Sequence, residues 1–456
     1  MARFRMGKHR HRRASANGWL NPRMREVLRL ALPAAFKHLL DILQILIDML
    51  MIGVLSVSAL AAVGTSMQLL MVVNVVITLY VVGGNAVTAR LIGSGRRRRA
   101  HSLLFTLGAL ALLLSLPFTV AGYVFAGDFY RAMGTGEEVA QYGHIYFGIL
   151  AAGFPLIFLD SLFYNQLSAA GDTKSSLYIK LASAGVNAAL DYLLIFGHGG
   201  LPAMGVAGAA YATVAAYALN IVLYLLLLRR HNARLHIVPS WNLPDLKRAV
   251  KIGSHAALER LITVSSFMLF VWVIASYGTA ALAGYQVGLR IEGLAFMPGY
   301  GFAVAAMAIV GQQLGGRRPE DAYAGGLYSV KVAAWFMGLL GLVMVVWPEP
   351  FVRLFTPDPA TVQQASLYLR LVGISQVPLA VVFVLSSVLR GAGDTRTPLK
   401  VNIAALWLLR VIPSVIAMKL GFGIIAVYII MTLETFVKGI IFWKIFTKRA
   451  WLKTKL

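Results

Sequence analysis

Residues 167–174 read LSAAGDTK, and residues 389–396 read LRGAGDTR, 222 positions later. A near-identity of eight residues at that distance is a repeat signal, and further anchors share the offset. Gly93 falls on Gly315, Ala100 falls on Ala322, and AAFK (34–37) falls on AALE (256–259). The chain of 456 residues is therefore read as two tandem units.

Composition says what each unit contains. The chain is 59 % hydrophobic and 13 % charged, where soluble domains carry about 25 % charged residues. Apolar runs near or above the ~20 residues that cross a bilayer recur from residue 28 to residue 447. Twelve spans are expected, at 28–54, 65–91, 102–126, 140–165, 176–196, 204–228, 250–276, 283–311, 326–347, 363–389, 399–419 and 423–446. Each repeat then holds six spans, so the two share one orientation about an axis along the membrane normal. The expected fold is an all-α integral membrane protein with two six-helix lobes, 28–228 and 250–447. A linker at 229–249 joins them, and basic tails at 1–27 and 448–456 flank them.

The net charge of +24 would suit nucleic acid, but its location argues otherwise. Basic clusters fall at alternate connections: GSGRRRR (93–99), GDTK (171–174), RRHNAR (229–234), GGRRPE (315–320) and RGAGDTR (390–396). The opposite connections, such as VLSVSAL and GHGGLP, are nearly bare. By the positive-inside rule both termini lie in the cytoplasm, which places the chain in the cytoplasmic membrane among lipids with no nucleic-acid partner; a monomer is expected. The basic N-terminal tail is read as solvated or bound to lipid headgroups.

There are no cysteines, no phosphate-binding Gly-x-x-x-x-Gly-Lys-Ser/Thr loop and no His-Glu-x-x-His, and no nucleophile–base set stands out. An enzyme and an ATP-driven pump are both disfavoured, no cofactor is expected, and an ion gradient is left as the energy source.

Ionisable residues inside spans cost about 2.5–3.5 kcal/mol each on insertion scales, so they are candidates for function. At 1.5 Å per residue, Asp41 and Asp48 lie roughly 20 and 30 Å along the first span and share a face. Asn187 and Asp191 lie roughly 17 and 23 Å along the fifth span, four residues apart and stacked. Asp48 and Asp191 thus both fall in the outer half of the first lobe. Two carboxylates together in low dielectric cannot both stay ionised cheaply, so a proton or a Na⁺ ion is expected between them. In the second lobe Glu259, Glu292 and Glu434 fall near the midplane, with Arg260, Arg290 and Arg410 at similar depth. These form a second candidate polar site, or ion pairs that support a water-filled cavity. Lys37 and Lys180 are read as neutralising Asp residues or snorkelling. Asp160 is read as structural. Pro33 should kink the first span and serve as a hinge. Stripes such as Phe267, Met268 and Phe296, Met297 are expected in the core, although they would suit a flat lipophilic ligand.

LP in the first span (Leu32, Pro33), IDMLMIGVLSVSALAAVG (47–64), the repeated GDTK/GDTR, NAALDYLLIFG followed by GVAGAAYAT (205–213), and FMPGYGFAVAAMAIVGQQLGG (296–316) together resemble the multidrug and toxic compound extrusion (MATE) family. The resemblance covers roughly 28–447. It implies twelve helices in two lobes arranged as a V, exporting amphipathic, often cationic, drugs in exchange for H⁺ or Na⁺. The first-lobe pattern is similar to the DinF-type branch, which implies coupling through Asp48, Asn187, Asp191 and Thr213, with Pro33 as the kink. It selects Asp48 over Asp41, which stays as an accessory candidate. The tenth-span stretch LAVVFVLSS (379–387) lacks the cation-site Asp of NorM-type members. A rival reading within the superfamily is a lipid-linked oligosaccharide flippase, which would require fourteen spans and a cationic central cavity.

Overall fold

The structure is a computed structural model that describes residues 21–454. Among the described residues every regular element is helical. The first lobe comprises α1 (Pro22–Gly53), α2 (Val57–Gly93), α3 (Arg97–Val124), α4 (Ala126–Ala132), α5 (Glu137–Ala152), α6 (Phe154–Ala169), α7 (Thr173–Phe196) and α8 (Val206–Arg229). The second comprises α9 (Leu243–Ala275), α10 (Thr279–Gly315), α11 (Pro319–Val346), α12 (Pro348–Arg353), α13 (Pro359–Ile374), α14 (Gln376–Gly391), α15 (Arg396–Ala404), a π-helical stretch Ala405–Val411, α16 (Ile412–Lys419) and α17 (Ile424–Thr447).

The sequence offset governs the helices. Moving α2, α3, α5 and α6 by 222 residues lands on α10, α11, α13 and α14, end on end. Among the described residues ten helices are long and apolar enough to cross a membrane, and two bent pairs, each counted as one span, bring the number to twelve. The pairs are α5 with α6, bent by 54°, and α13 with α14, bent by 57°. They bend at Gly153 and Ser375, again 222 apart. Pro155 and Pro378 lie just beyond, and a proline removes a backbone donor and crowds the carbonyl four residues before it.

One departure from the repeat is informative. Span five, α7, is an unbroken α-helix, whereas span eleven widens into the π-helical stretch that carries Arg410. Pro413 follows, and its ring would crowd the Leu409 carbonyl in a regular α-helix.

Three expected boundaries shift. Helix α9 begins at Leu243, inside the expected linker, because Asn242 caps it by accepting from the Asp245 N–H. Within the C-terminal tail, Trp451 is buried and stacks on Phe446 with centroids 5.5 Å apart. Helix α1 begins at Pro22, so residues 22–27 of the expected N-terminal tail are helical, with Val27 buried; residues 1–20 lie outside the described residues.

The lobes meet along a seam at the end that carries the basic connections. There Arg90 donates to the Ala392 carbonyl (2.7 Å) and Gln312 donates to the Ala169 carbonyl (2.6 Å). A Cβ on Gly93 would strike the Gln312 carbonyl, and one on Gly315 would strike the Arg90 carbonyl. Since 90 and 312 are repeat partners, as are 93 and 315, the seam is a pseudo-twofold contact. The same holds where Gly253 abuts Leu79 and Gly301 abuts Ala31 and Ala35. Buried Asp245, held bidentately by Arg99 (3.0 and 2.7 Å) and by Arg248 (3.0 Å), fixes the base of α9 to the first lobe. Hydrogen bonds and ion pairs between the lobes fall at this end; toward the bare connections the described lobes make none.

The first helix of each lobe crosses the seam. Val27, Leu30 and Ala31 of α1 pack in the second lobe's core with Phe302 and Val310. Ala249 and Ile252 of α9 pack in the first lobe's core with Tyr80 and Val81. Pro33 lies where α1 leaves that foreign core, and α1 runs through it as one helix. At the equivalent position α9 carries His255.

Candidate functional site

Helices α1 and α7 pack side by side in the first lobe. Their halves away from the basic connections bring the carboxyls of Asp48 and Asp191 together. Both are buried, Asp48 at 4 % exposure and Asp191 at 0 %. Tyr146 of α5 is buried in the same lobe, close enough to feel the charge of both carboxyls. Asn187 lies one turn before Asp191 on the same face of α7, also fully buried. Thr213 is on α8, which packs closely on α7 where Gly208 meets the Leu194 backbone.

The polar atoms here are unusually poor in partners. Asp48 Oδ1, both oxygens of Asp191, both amide atoms of Asn187 and Thr213 Oγ1 are buried with no hydrogen-bond partner of the protein. Leaving such a group unsatisfied costs about 1–3 kcal/mol, and more when it is charged. Two carboxylates are both acceptors and cannot bond each other unless one holds a proton or a cation bridges them. Oxygen ligands from Asp48, Asp191, Asn187 and Thr213 suit a hard monovalent cation, and a carboxyl pair suits a proton equally well.

Nearer the basic end, Asp41 sits in a different setting. The Lys37 ammonium is 2.8 Å from its Oδ2 and the Lys180 ammonium 3.0 Å from its Oδ1. His38 Nδ1 lies 3.6 Å away, and its Nε2 is 3.2 Å from the Tyr164 hydroxyl. Lys37 also lies over the Tyr164 ring, 4.4 Å from its centroid. Asp41 is thus a saturated ion-pair centre, unlike Asp48. Asp160, buried on α6, faces this group and Asn220.

In the second lobe two of the acidic candidates are ion-paired and the third is hydrogen-bonded. Glu259 binds Arg390 and the Asn402 amide, both at 2.6 Å. Glu434 binds Arg410 at 2.6 Å and Lys438 at 2.9 Å. Glu292 accepts from the Tyr368 hydroxyl. Arg260 and Arg290 are exposed and have no ion-pair partner among the described residues.

Sequence reading missed Tyr146, Arg390 and Lys438. Arg390 had a signal: it stands in the repeated motif where the first copy has Ser168, so its charge is specific to one lobe. Tyr146 had none, since a lone Tyr in an apolar span is ordinary. Nothing in the order of residues pairs Glu259 with position 390 rather than with its neighbour Arg260.

Known proteins agree with this architecture. The family model described as MatE matches twice, over 33–193 and 256–416. A probable multidrug resistance protein NorM from Thermotoga maritima is 28 % identical over 407 residues, covering 87 % of this chain and 86 % of that protein. A FAD transporter from Shewanella oneidensis is 27 % identical over 412 residues, covering 88 % of each. The solved structure of a MOP-superfamily transporter from Pyrococcus furiosus superposes with a TM-score of 0.88 at 22 % identity, covering 95 % of this chain and 97 % of that one, a likeness of fold. With both repeats matched by one model and the two-lobe helical fold shared, the chain belongs to the multidrug and toxic compound extrusion (MatE) family.

Proposed function

We propose that this membrane transporter is a secondary antiporter that exports amphipathic small molecules in exchange for entry of H⁺ or Na⁺, with the coupling site at Asp48 and Asp191 in the first lobe. The observation that carries the reading is the buried, partner-poor carboxyl pair, with unpartnered Asn187 one turn before Asp191 and an unpartnered Thr213 hydroxyl on the adjoining α8. Such a pair is stable when it holds one cationic charge and costly when empty. The names of the relatives, a multidrug resistance protein and a FAD transporter, support export of organic molecules without fixing their charge.

With the basic connections in the cytoplasmic membrane's inner face, both termini are cytoplasmic and the seam closes that side. The gap between the lobes then opens outward, as after release of substrate. Cation reaching Asp48 and Asp191 from outside favours one arrangement of α1 against α7. Pro33, at the point where α1 leaves the second lobe's core, is the hinge through which that change reaches the seam. Substrate from the cytoplasm favours the other arrangement, so the two ligands exclude each other through conformation.

Paired Glu259 and Glu434 are assigned to holding the second lobe together, and Asp41 to anchoring α1 on α7. The twelve spans, against fourteen, weigh against an oligosaccharide flippase. The test is dye efflux from proteoliposomes under separately imposed H⁺ and Na⁺ gradients. Asp48→Asn and Asp191→Asn should each abolish gradient-driven efflux; full efflux in both would reject the coupling site.

A further inference from the structure

We infer that the gap between the lobes selects amphipathic compounds bearing an anionic group, a carboxylate, sulfonate or phosphate, in preference to organic cations. This rests on the export reading above and adds the charge of the cargo.

The argument begins with which residues face the gap. On α10, Gly301 abuts the α1 backbone at Ala31 and Ala35, so that stripe of α10 faces the first lobe. Arg290 lies eleven residues away, close to three full turns, and so belongs to the same stripe nearer the open end. On α9, Gly253 abuts Leu79 of α2, and Arg260 follows seven residues later, close to two turns. Both arginines continue stripes that touch the other lobe where the seam is closed. Beyond the seam, both stripes look into the space between lobes, and both side chains are exposed.

The second part is the balance of charge. Carboxylates in the spans are either buried or already covered by cations. Glu259 has Arg390, while Glu434 has both Arg410 and Lys438. Asp41 likewise has both Lys37 and Lys180. Asp48, Asp191 and Glu292 are withdrawn into the lobes. Lys37 and Lys180 are shared between Asp41 and the nearby buried Asp160, and Arg410 lies near Glu292 as well as Glu434, so these clusters are close to balanced, whereas Arg260 and Arg290 have no carboxylate partner among the described residues. The charge presented to a ligand in the gap is positive. A narrow cleft with apolar walls focuses that field, and a guanidinium offers carboxylate or phosphate two parallel donors.

An apolar platform lies on the same helix α10, ten residues or roughly 15 Å from Arg290. Tyr300 stacks on Phe383 at 4.8 Å and meets Phe296 at 5.6 Å. Its ring also reaches His38 of the first lobe, 6.2 Å away. Tyr300 is 37 % exposed, so the platform is open to the gap. A flat aromatic body would lie there with its anionic group toward Arg290, whereas a cation would meet two unpaired positive charges.

The test uses the full chain in detergent with two dyes that share a xanthene core, carboxyfluorescein (anionic) and rhodamine 6G (cationic), read by fluorescence anisotropy. Carboxyfluorescein should bind at least about tenfold more tightly, as charge-assisted contacts require, with the gap narrowing at high salt. Arg260→Gln/Arg290→Gln should erase the preference, and Arg290→Lys should keep most of it. Equal or tighter binding of rhodamine 6G overturns the inference. So does absence of carboxyfluorescein binding, or a preference unchanged in the double variant. If the double variant does not survive purification, the salt dependence of the two dyes on the wild-type protein decides. Separately, failure of both H⁺ and Na⁺ gradients to move either dye in proteoliposomes rejects antiport while leaving the binding preference to stand on its own result.

Discussion

Lys180 of α7 places its ammonium 3.0 Å from Asp41 Oδ1 of α1 and donates to Gln44 one turn further along α1. Asp48 follows Asp41 by seven residues, roughly 10 Å along the helix. The ion pair therefore fixes the distance between α1 and α7 just below the point where their carboxyls meet. Lys180→Met should free α1 here while Lys37 keeps Asp41 neutralised. The expected result is a folded protein, destabilised by about 1–3 kcal/mol, whose efflux is uncoupled from the cation gradient. Thermal denaturation and gradient-driven dye efflux, measured together, check it.

Thr213→Val tests whether the unsatisfied atoms are kept for function. The isostere removes a buried hydroxyl with no partner, so stability should rise or stay level rather than fall. Transport should drop by about tenfold if the hydroxyl supplies one contact to the coupling ion. A variant that loses stability and keeps transport would contradict the assignment.

Glu259→Gln removes the carboxylate that pairs with Arg390 among the described residues and strands a half-buried guanidinium. Breaking one side of a buried pair costs about 3–5 kcal/mol, so expression should fall sharply. Glu259→Leu/Arg390→Met should recover much of that loss. Recovery would establish the pair as scaffolding, and a double variant that folds but fails to transport would give it a further role.

Gly253→Ala would set a methyl group against the Leu79 carbonyl, a backbone atom that cannot step aside. The seam should then fail to close, and the population should move toward the arrangement with the basic end open. Spin labels on cysteines introduced at Ser94 and Arg317 can report the distance across that end. The chain contains no cysteine, so the two labels are the only ones. A distance distribution matching the parent's would show the seam to be more yielding than its packing implies.

How far the sequence carried the reading can be judged from particular residues. The twofold architecture followed from LSAAGDTK and LRGAGDTR because a repeat in sequence is a repeat in structure. Depth along a helix placed Asp48 and Asp191 in the same half of the first lobe because α-helical rise is constant. Pairing across helices was beyond reach, since Glu259 meets position 390 only through the way α9 and α14 pack. The 54° and 57° bends were also hidden: Pro155 and Pro378 were legible, but a proline can kink a span or break it, and neighbouring helices decide which. Depth alone left Asp41 and Asp48 alike; the resemblance selected Asp48, and in the structure Lys37 and Lys180 cover Asp41 alone.

The bases of α1 and α9 are exchanged between lobes, and this bears on how the protein is made. The first lobe's core is incomplete until Ala249 and Ile252 arrive, after all six of its own spans have been synthesised. Meanwhile Val27, Leu30 and Ala31, on the first lobe's first helix, wait for Phe302 and Val310. The six-span lobes therefore cannot mature one after the other as the chain emerges. Assembly resembles the mutual embrace of a swapped dimer, in which neither partner is finished before the other, and the two halves reach their final packing in a single late step.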